Sequence, residues 1–382
     1  MKITVHAGLH NRTHCPIWAT LPVEPPSVDW QLVEEATGQA VPCQWQAERS
    51  GLRLAWLLDA LDAGATRTYL VAAANNRQET KVVTTNLKVA DGQVDVLIGG
   101  ALFTRYNHAP AYPRPFLYPV IGPFGHGVTR NYPMQAGVPG ESSDHPHHRS
   151  LYTAFGDVNG VDDWSEIEGH GRIVHRAFSA LESGPVYGRI VAENDWVDPG
   201  GEMVVTETRE MVFYNTPAWC ALMDYKVTFH AGEQAVIFGD TKEGGILSVR
   251  VASSMDVSRG LGGQIANACG GVNEDETWGQ PSPWCDYSGP VAGRTVGIAL
   301  LDHPDNLRHP TQWHVRDYGL MTANCFAWSY YKVKSLDGSY TMPPHSDLTF
   351  RYRVYIHPGR EASVQARWID FAFPPQVTVQ AT

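Results

Sequence analysis

Residues 202–214 read EMVVTETREMVFY, and this stretch decides the fold. No Gly or Pro interrupts it, and its Val, Thr, Phe and Tyr suit a pleated strand. Extended, it places Thr206, Thr208, Glu210 and Val212 on one face and Val205, Glu207, Arg209 and Met211 on the other. A strand of this length needs partners of similar length, and they stand on both sides of it. Upstream are VDVLI (94–98), ALFTRY (101–106), GRIVHRAF (171–178) and YGRIVAEN (187–194). Downstream are ALMDYKVTFH (221–230), ILSVRV (246–251), VGIALL (296–301) and LTFRYRVYI (348–356). Strands this long and numerous, with few helix signals, imply a large antiparallel sandwich over 91–382. One short helix is expected near Arg360–Trp368.

Residues 1–90 read as a smaller β domain. KITV (2–5), GLRLAW (51–56), TRTYLV (66–71) and KVVT (81–84) alternate, with turn signals at Pro25-Pro26, Gly38, Gly64 and Asn75-Asn76. The expectation is an all-β protein: a small N-terminal immunoglobulin-like sandwich, then a large antiparallel β-supersandwich. His6, His10 and His14 have no carboxylate partner nearby in sequence and read as surface histidines.

Composition narrows the function. Charged residues are only 18% of the chain, while 12 Trp and 16 Tyr supply flat rings with polar tips, a mixture that suits stacking on sugars. The net charge is −11 and no basic run appears, which argues against nucleic acid as a partner. No run approaches the ~18 apolar residues of a membrane span. The opening MKITVHAGLHNRTHCPIWATLP has no apolar signal core, so a cytoplasmic location is expected. The six cysteines are scattered without C-x-x-C and read as free thiols rather than a disulfide frame or zinc site.

The chemistry concentrates in Tyr112–Trp164, too rich in Pro and Gly for a long helix. Its centre is Asp144-His145-Pro146-His147-His148-Arg149. Pro146 argues for a loop or edge rather than a central strand. His titrates near neutral pH and is the commonest proton-transfer group, so His148 is a candidate acid or base, with Asp144 and Arg149 binding substrate. The same residues allow a divalent metal, with His145 and His147 as candidate ligands and Asp144 or His175 completing the set. A structural network is the third alternative.

A second cluster, DHPDNLRHPTQWHVRDYG (302–319), repeats the Asp-His-Pro unit directly after an apolar strand. His303 is its proton-transfer candidate; His314, Arg316 and Tyr318 are candidate substrate contacts, and Trp313 a stacking platform. In an extended chain His314 and Arg316 share a face and Trp313 points the other way. Lys242, before a Gly-Gly turn, is a candidate catalytic cation. Asp163-Trp164, followed by His175, resembles a sugar subsite, with a ring to stack and a carboxylate to accept hydroxyls. The Pro/Gly-rich stretch 259–289 is long enough to reach over a pocket. No G-x-S-x-G, Walker A or H-E-x-x-H motif is present, which argues against α/β-hydrolase, P-loop and thermolysin-type chemistry.

Taken together, Pro113-Arg114-Pro115-Phe116, Asp144–Leu151, Gly156–Asp162, Asp240–Gly245, Asp302-His303-Pro304 and Trp313–Arg316 resemble a bacterial family of unknown function. That family is filed under the labels "PmoA family" and "methane oxygenase PmoA-like". The resemblance runs from about residue 1 to 370. It implies a β-supersandwich like that of galactose mutarotases and several lyases, and genomic settings rich in sugar oxidation and degradation.

The leading expectation is a carbohydrate-active enzyme, a glycoside hydrolase or lyase acting on a small, oxidised or unoxidised sugar by His/carboxylate acid–base chemistry. His148, His303, Lys242 and His175 are its catalytic candidates. Asp144, Arg149, Asp163, Trp164, Trp313, His314, Arg316 and Tyr318 are its substrate contacts. No cofactor is assigned; a metal-dependent oxygenase or hydrolase using His145 and His147, and a non-catalytic sugar-binding module, are the alternatives.

Overall fold

The computed structural model describes residues 1–22, 30–48, 51–73, 84–331, 335–360 and 363–380. The turn signals at Pro25-Pro26 and Asn75-Asn76 and the strand expected over 81–83 lie outside them. The protein is all-β, built from antiparallel sheets, as the alternating runs require.

The large sandwich packs two eight-stranded sheets face to face. The first runs, in spatial order, Trp313–Val315, Leu320–Ala323, Gly244–Arg250, Leu151–Phe155, Phe116–Val120, Ala101–Asn107, Gln93–Ile98 and Thr85–Ala90. The second runs Arg172–Glu182, Tyr187–Val197, Met203–Tyr214, Ala221–His230, Asp347–Pro358, Arg294–Asp302, Trp284–Val291 and Gln264–Asn267. One apolar core joins their inner faces, with Leu117, Leu151, Val249 and Met321 from the first against Val205, Met211, Phe229 and Val354 from the second.

The deciding strand behaves as its alternation requires: Val205, Glu207, Arg209 and Met211 are buried, and Thr206, Thr208 and Glu210 are half-buried. Glu207 and Arg209 form an ion pair with neither side chain exposed. Burying two charges is tolerated only with full hydrogen bonding. Glu207 also accepts from Trp196 Nε1 (2.7 Å), and Arg209 donates to the carbonyl of Pro115 (3.2 Å). That last bond ties the second sheet to the segment entering strand Phe116–Val120. Tyr225 makes a second polar crossing, its hydroxyl 2.9 Å from Thr153 Oγ1.

The small sandwich packs a five-stranded sheet on a three-stranded one. Ile3, Val5, Leu32, Leu54, Trp56 and Tyr69 fill its core. Its composition departs from a simple division at residue 90. Strand Thr85–Ala90 is an edge of the large first sheet, and strand Gln376–Gln380 pairs with Lys2–His6. Helix Val364–Ala372 stands a few residues later than the sequence suggests and packs between the sandwiches, where Arg12 of the small one bonds its Asp370 (3.1 Å). All six cysteines are free, and Cys269 is exposed. Among the described residues no helix is long and apolar enough to cross a membrane.

Candidate functional site

Alternation along the first sheet creates the site. Leu117, Leu151, Val249, Met321, Trp313 and Val315 turn into the main core. Their neighbours Phe116, Tyr152 and Leu320 turn outward and form a separate apolar floor with Ala154 and Trp164. The same rule turns Arg250 and His314 outward. Over this floor lie the loops that carry the histidines.

Asp144–Arg149 is a turn, with His145 at φ 44° and the N–H of His148 bonded to the carbonyl of His145 (3.1 Å). The three imidazoles close on one another. The His145 ring lies nearly parallel to both His148 (4.8 Å between centroids, 6° between planes) and Tyr318 (4.9 Å, 8°), which are themselves 6.4 Å apart. His147 stands edge-on to His148 at 4.5 Å and to Trp164 at 5.6 Å.

Behind the turn lie two guanidiniums with no exposed side-chain surface, Arg130 and Arg250. Both bond Asp144 Oδ1, at 2.5 and 3.0 Å. Burial would push the Asp144 carboxyl up, but Arg250 and Arg130 together hold it below its ordinary value. Arg250 also donates to His148 Nδ1 (3.1 Å). Burial, reinforced by His147 and Arg250, drives His148 well below the usual imidazole range. His147 is half-buried; desolvation and the charge of Arg114 bring it down to about 4. Asp256, beside Arg250, is pushed by burial up to about 7.

The second wall comes from the far end of the sheet. His314 Nδ1 accepts from Trp278 Nε1 (3.0 Å), and burial, with the charges of Lys242 and Arg316, lowers it to about 3. Arg316 pairs with Glu274 (3.0 Å) and lies against the ring of Tyr318. Lys242 pairs with Glu243, whose charge reaches both His147 and Tyr318. Arg149 forms a two-pronged pair with Glu166 (2.8 and 2.7 Å), and Glu166 also faces the buried Arg114 (3.2 Å). Arg114 in turn holds the carbonyls of His147 (3.0 Å) and Trp164 (2.8 Å).

The structure therefore brings together Asp144, His145, His147, His148, Arg149, Trp164, Lys242, His314, Arg316 and Tyr318. It separates others. His303 packs on Phe371 of the C-terminal helix (4.9 Å), and Asp302 bonds His309, Asn306 and the N–H of Thr311, so the second Asp-His-Pro unit does not face the first. His175 packs on His108 (4.3 Å) and Phe178 (4.3 Å). Trp313 is wholly buried, with its indole N–H on the carbonyl of Ser282 (2.8 Å), and Trp164 is 1% exposed. Neither indole offers a face to a ligand, so both lose the stacking role. Asp163 is sealed beneath the loop, both carboxylate oxygens without a hydrogen bond, and burial raises it to about 8. It is held too deep to touch a substrate.

Sequence reading missed Arg130, Arg250, Arg114, Glu166, Glu274 and Trp278. The last two stand on the 259–289 stretch, which does reach the site. Among the described residues no group of three or more His, Cys, Asp or Glu is placed to hold a metal ion.

Residues 93–369 match the model of a family described as "Family of unknown function (DUF6807)", and the chain belongs to that family. No curated protein matches the sequence. Among solved structures, the chain has a likeness to the crystal structure of the alpha-galactosidase from Lactobacillus brevis, with 9% identity and a TM-score of 0.35. That likeness covers 73% of this chain and 40% of the other.

Proposed function

We propose that the outer face of the first sheet is the active site of a carbohydrate-active enzyme that breaks a glycosidic or neighbouring bond by acid–base chemistry. One observation carries the reading: the imidazoles of His145, His147 and His148 meet Tyr318, Arg316 and the Lys242–Glu243 pair over one apolar floor. His147 takes the proton-transfer role in place of His148. It is neutral at physiological pH and half-exposed, whereas His148 is buried with Nδ1 already engaged. A neutral imidazole removes a proton from a substrate hydroxyl or carbon acid, or activates water, and returns it to the leaving oxygen. Asp144, ionised between two arginines, and Arg316 bind and polarise sugar oxygens, and the half-buried Tyr118 supplies a ring face.

The test is turnover of a panel of glycosides and 3-keto-glycosides by the purified chain. A substrate should be found, and His147→Ala should lower kcat by roughly 10²–10⁴, the usual worth of a general acid or base. A substrate turned over equally well by His147→Ala would overturn the assignment.

A further inference from the structure

A cavity of about 260 Å³ lies between the two sandwiches, far from the histidine turn in sequence and on the opposite sheet. One wall is the outer face of the second sheet, where Glu210, Lys226 and Arg351 stand in one cross-strand row. The other wall is Trp18, Gln46 and Arg53 of the small sandwich, closed at one end by Phe371.

The charges in this cavity do not balance. Glu210 is shared by Arg189 (2.6 Å) and Lys226 (3.2 Å). Asp224 is engaged by two N–H groups of Arg353 (2.5 and 2.9 Å) and the hydroxyl of Tyr214 (2.8 Å). Arg351 is paired directly opposite Lys226, and like charges so placed repel. Among the described residues its guanidinium has no hydrogen bond or ion pair. On the facing wall the guanidinium of Arg53 lies 4.0 Å over the ring of Trp18. In a chain of net charge −11, the guanidinium of Arg351 directly opposite Lys226 makes this part of the cavity wall locally cationic.

We infer that this cavity binds a small hydroxylated carboxylate of the sugar-acid class. The planar fork of Arg351 fits a carboxylate, and Lys226 adds a point charge beside it. Val212 and Phe371 add apolar lining, and Gln46 and Glu210 give partners for hydroxyls. The cavity has room for one small molecule of this class. His303 of the second Asp-His-Pro unit stands behind this lining, packed on Phe371 and within reach of the charge of Arg351. The inference is independent of the catalytic reading.

Calorimetric titration of the full chain with D-glucuronate, glucose and inorganic phosphate tests it. Glucuronate should bind, glucose should not, and phosphate should bind at least about tenfold more weakly. Arg351→Ala should weaken glucuronate at least about tenfold without lowering the thermal midpoint, because the Lys226–Arg351 repulsion goes with it. Lys226→Met should also weaken it and serves if Arg351→Ala does not fold. Absence of glucuronate binding at millimolar concentration, or unchanged affinity in both variants, would overturn the site. Phosphate binding as tightly as glucuronate would overturn the sugar-acid class.

Discussion

Arg250 donates a hydrogen bond from its guanidinium to Nδ1 of His148 across 3.1 Å. An arginine cannot accept, so His148 must present a lone pair at Nδ1 and carry its proton on Nε2. Nitrogen-detected NMR should show this tautomer, neutral, well below the pH at which an ordinary imidazole protonates, since burial and the neighbouring cations keep it from protonating. Arg250→Met should release the ring and raise its pKa. A His148 that titrates near 6.5 in the unmodified protein would contradict the arrangement.

The protonation state of His147 sets an acidic limit on catalysis. Its imidazole titrates at about 4, lowered first by desolvation and then by Arg114. If it is the base, kcat/KM should stay level through pH 6 and fall only as the pH drops toward about 4. Glu166→Gln removes a carboxylate that favours the protonated ring, so it should move that limb further into acid. A limb near 6.5 would point to a different base.

Stability should peak near pH 6.5. His147 and His175 are held at about 4, His314 at about 3 and His148 well below 6.5, so the unfolded chain binds protons there that the native state refuses. Their contribution is complete above 6.5 and is lost on acidification from 6.5 through 4. Asp163 at about 8 and Asp256 at about 7 act in the opposite sense: the native state keeps protons that the unfolded chain releases above its carboxylate pKa of 3.8. Their contribution is complete below 3.8 and is lost as pH rises through 7 and 8. Below 6.5 the lowered imidazoles outweigh the raised carboxyls; above it the raised carboxyls, joined by the raised His357, bring stability down. Each net proton is worth about 1.4 kcal/mol per pH unit, less for the half-exposed rings. Urea unfolding at pH 4.5, 6.5 and 8.5 checks the shape, and a monotonic profile would refute it.

The Glu207–Arg209 pair should be costly to break and cheap to replace. Glu207→Leu leaves a fully buried guanidinium without its carboxylate and should lose about 3–5 kcal/mol. The double variant Glu207→Leu/Arg209→Met removes both charges and should lose less than the single one. Denaturant midpoints of the two, at equal slopes, make the comparison.

The deciding strand was legible because from Val205 to Met211 it is fully buried on one side only. By contrast Gly244–Arg250 and, past its first two residues, Arg294–Asp302 are buried on both faces and showed as apolar runs beside turn residues. Period-two alternation then follows from burial, as in Val205, Glu207, Arg209 and Met211, and nearly every such run forms a strand within a few residues of its expected bounds. The strands Phe116–Val120 and Leu151–Phe155 were hidden inside the Pro-rich stretch. They are short, and Leu151–Phe155 is buried on both faces, so no alternation marks it. Within the site, the turn 144–149 announced itself by its chemistry. Arg130 and Arg250 did not, because a lone arginine in an apolar or loop sequence gives no sign of the carboxylate it points at, whether 14 residues away, as for Arg130, or 106, as for Arg250. The repeated Asp-His-Pro unit misled for a related reason: similar local sequence says nothing of which sheet face it will join. Trp313 was assigned a ligand although its own alternation with His314 pointed it inward.

Strand Lys2–His6 lies between Thr66–Ala73 and Gln376–Gln380. One of its neighbours is thus available early in synthesis and the other only when nearly everything between has been made. Until then an edge with unpaired N–H and C=O groups stays open. The small sandwich is completed by a strand that lies beyond the large one in the chain, so it works as a clasp around the large one. Anything bound between the two sandwiches is held by a wall whose closure depends on residues on both sides of the large sandwich in sequence.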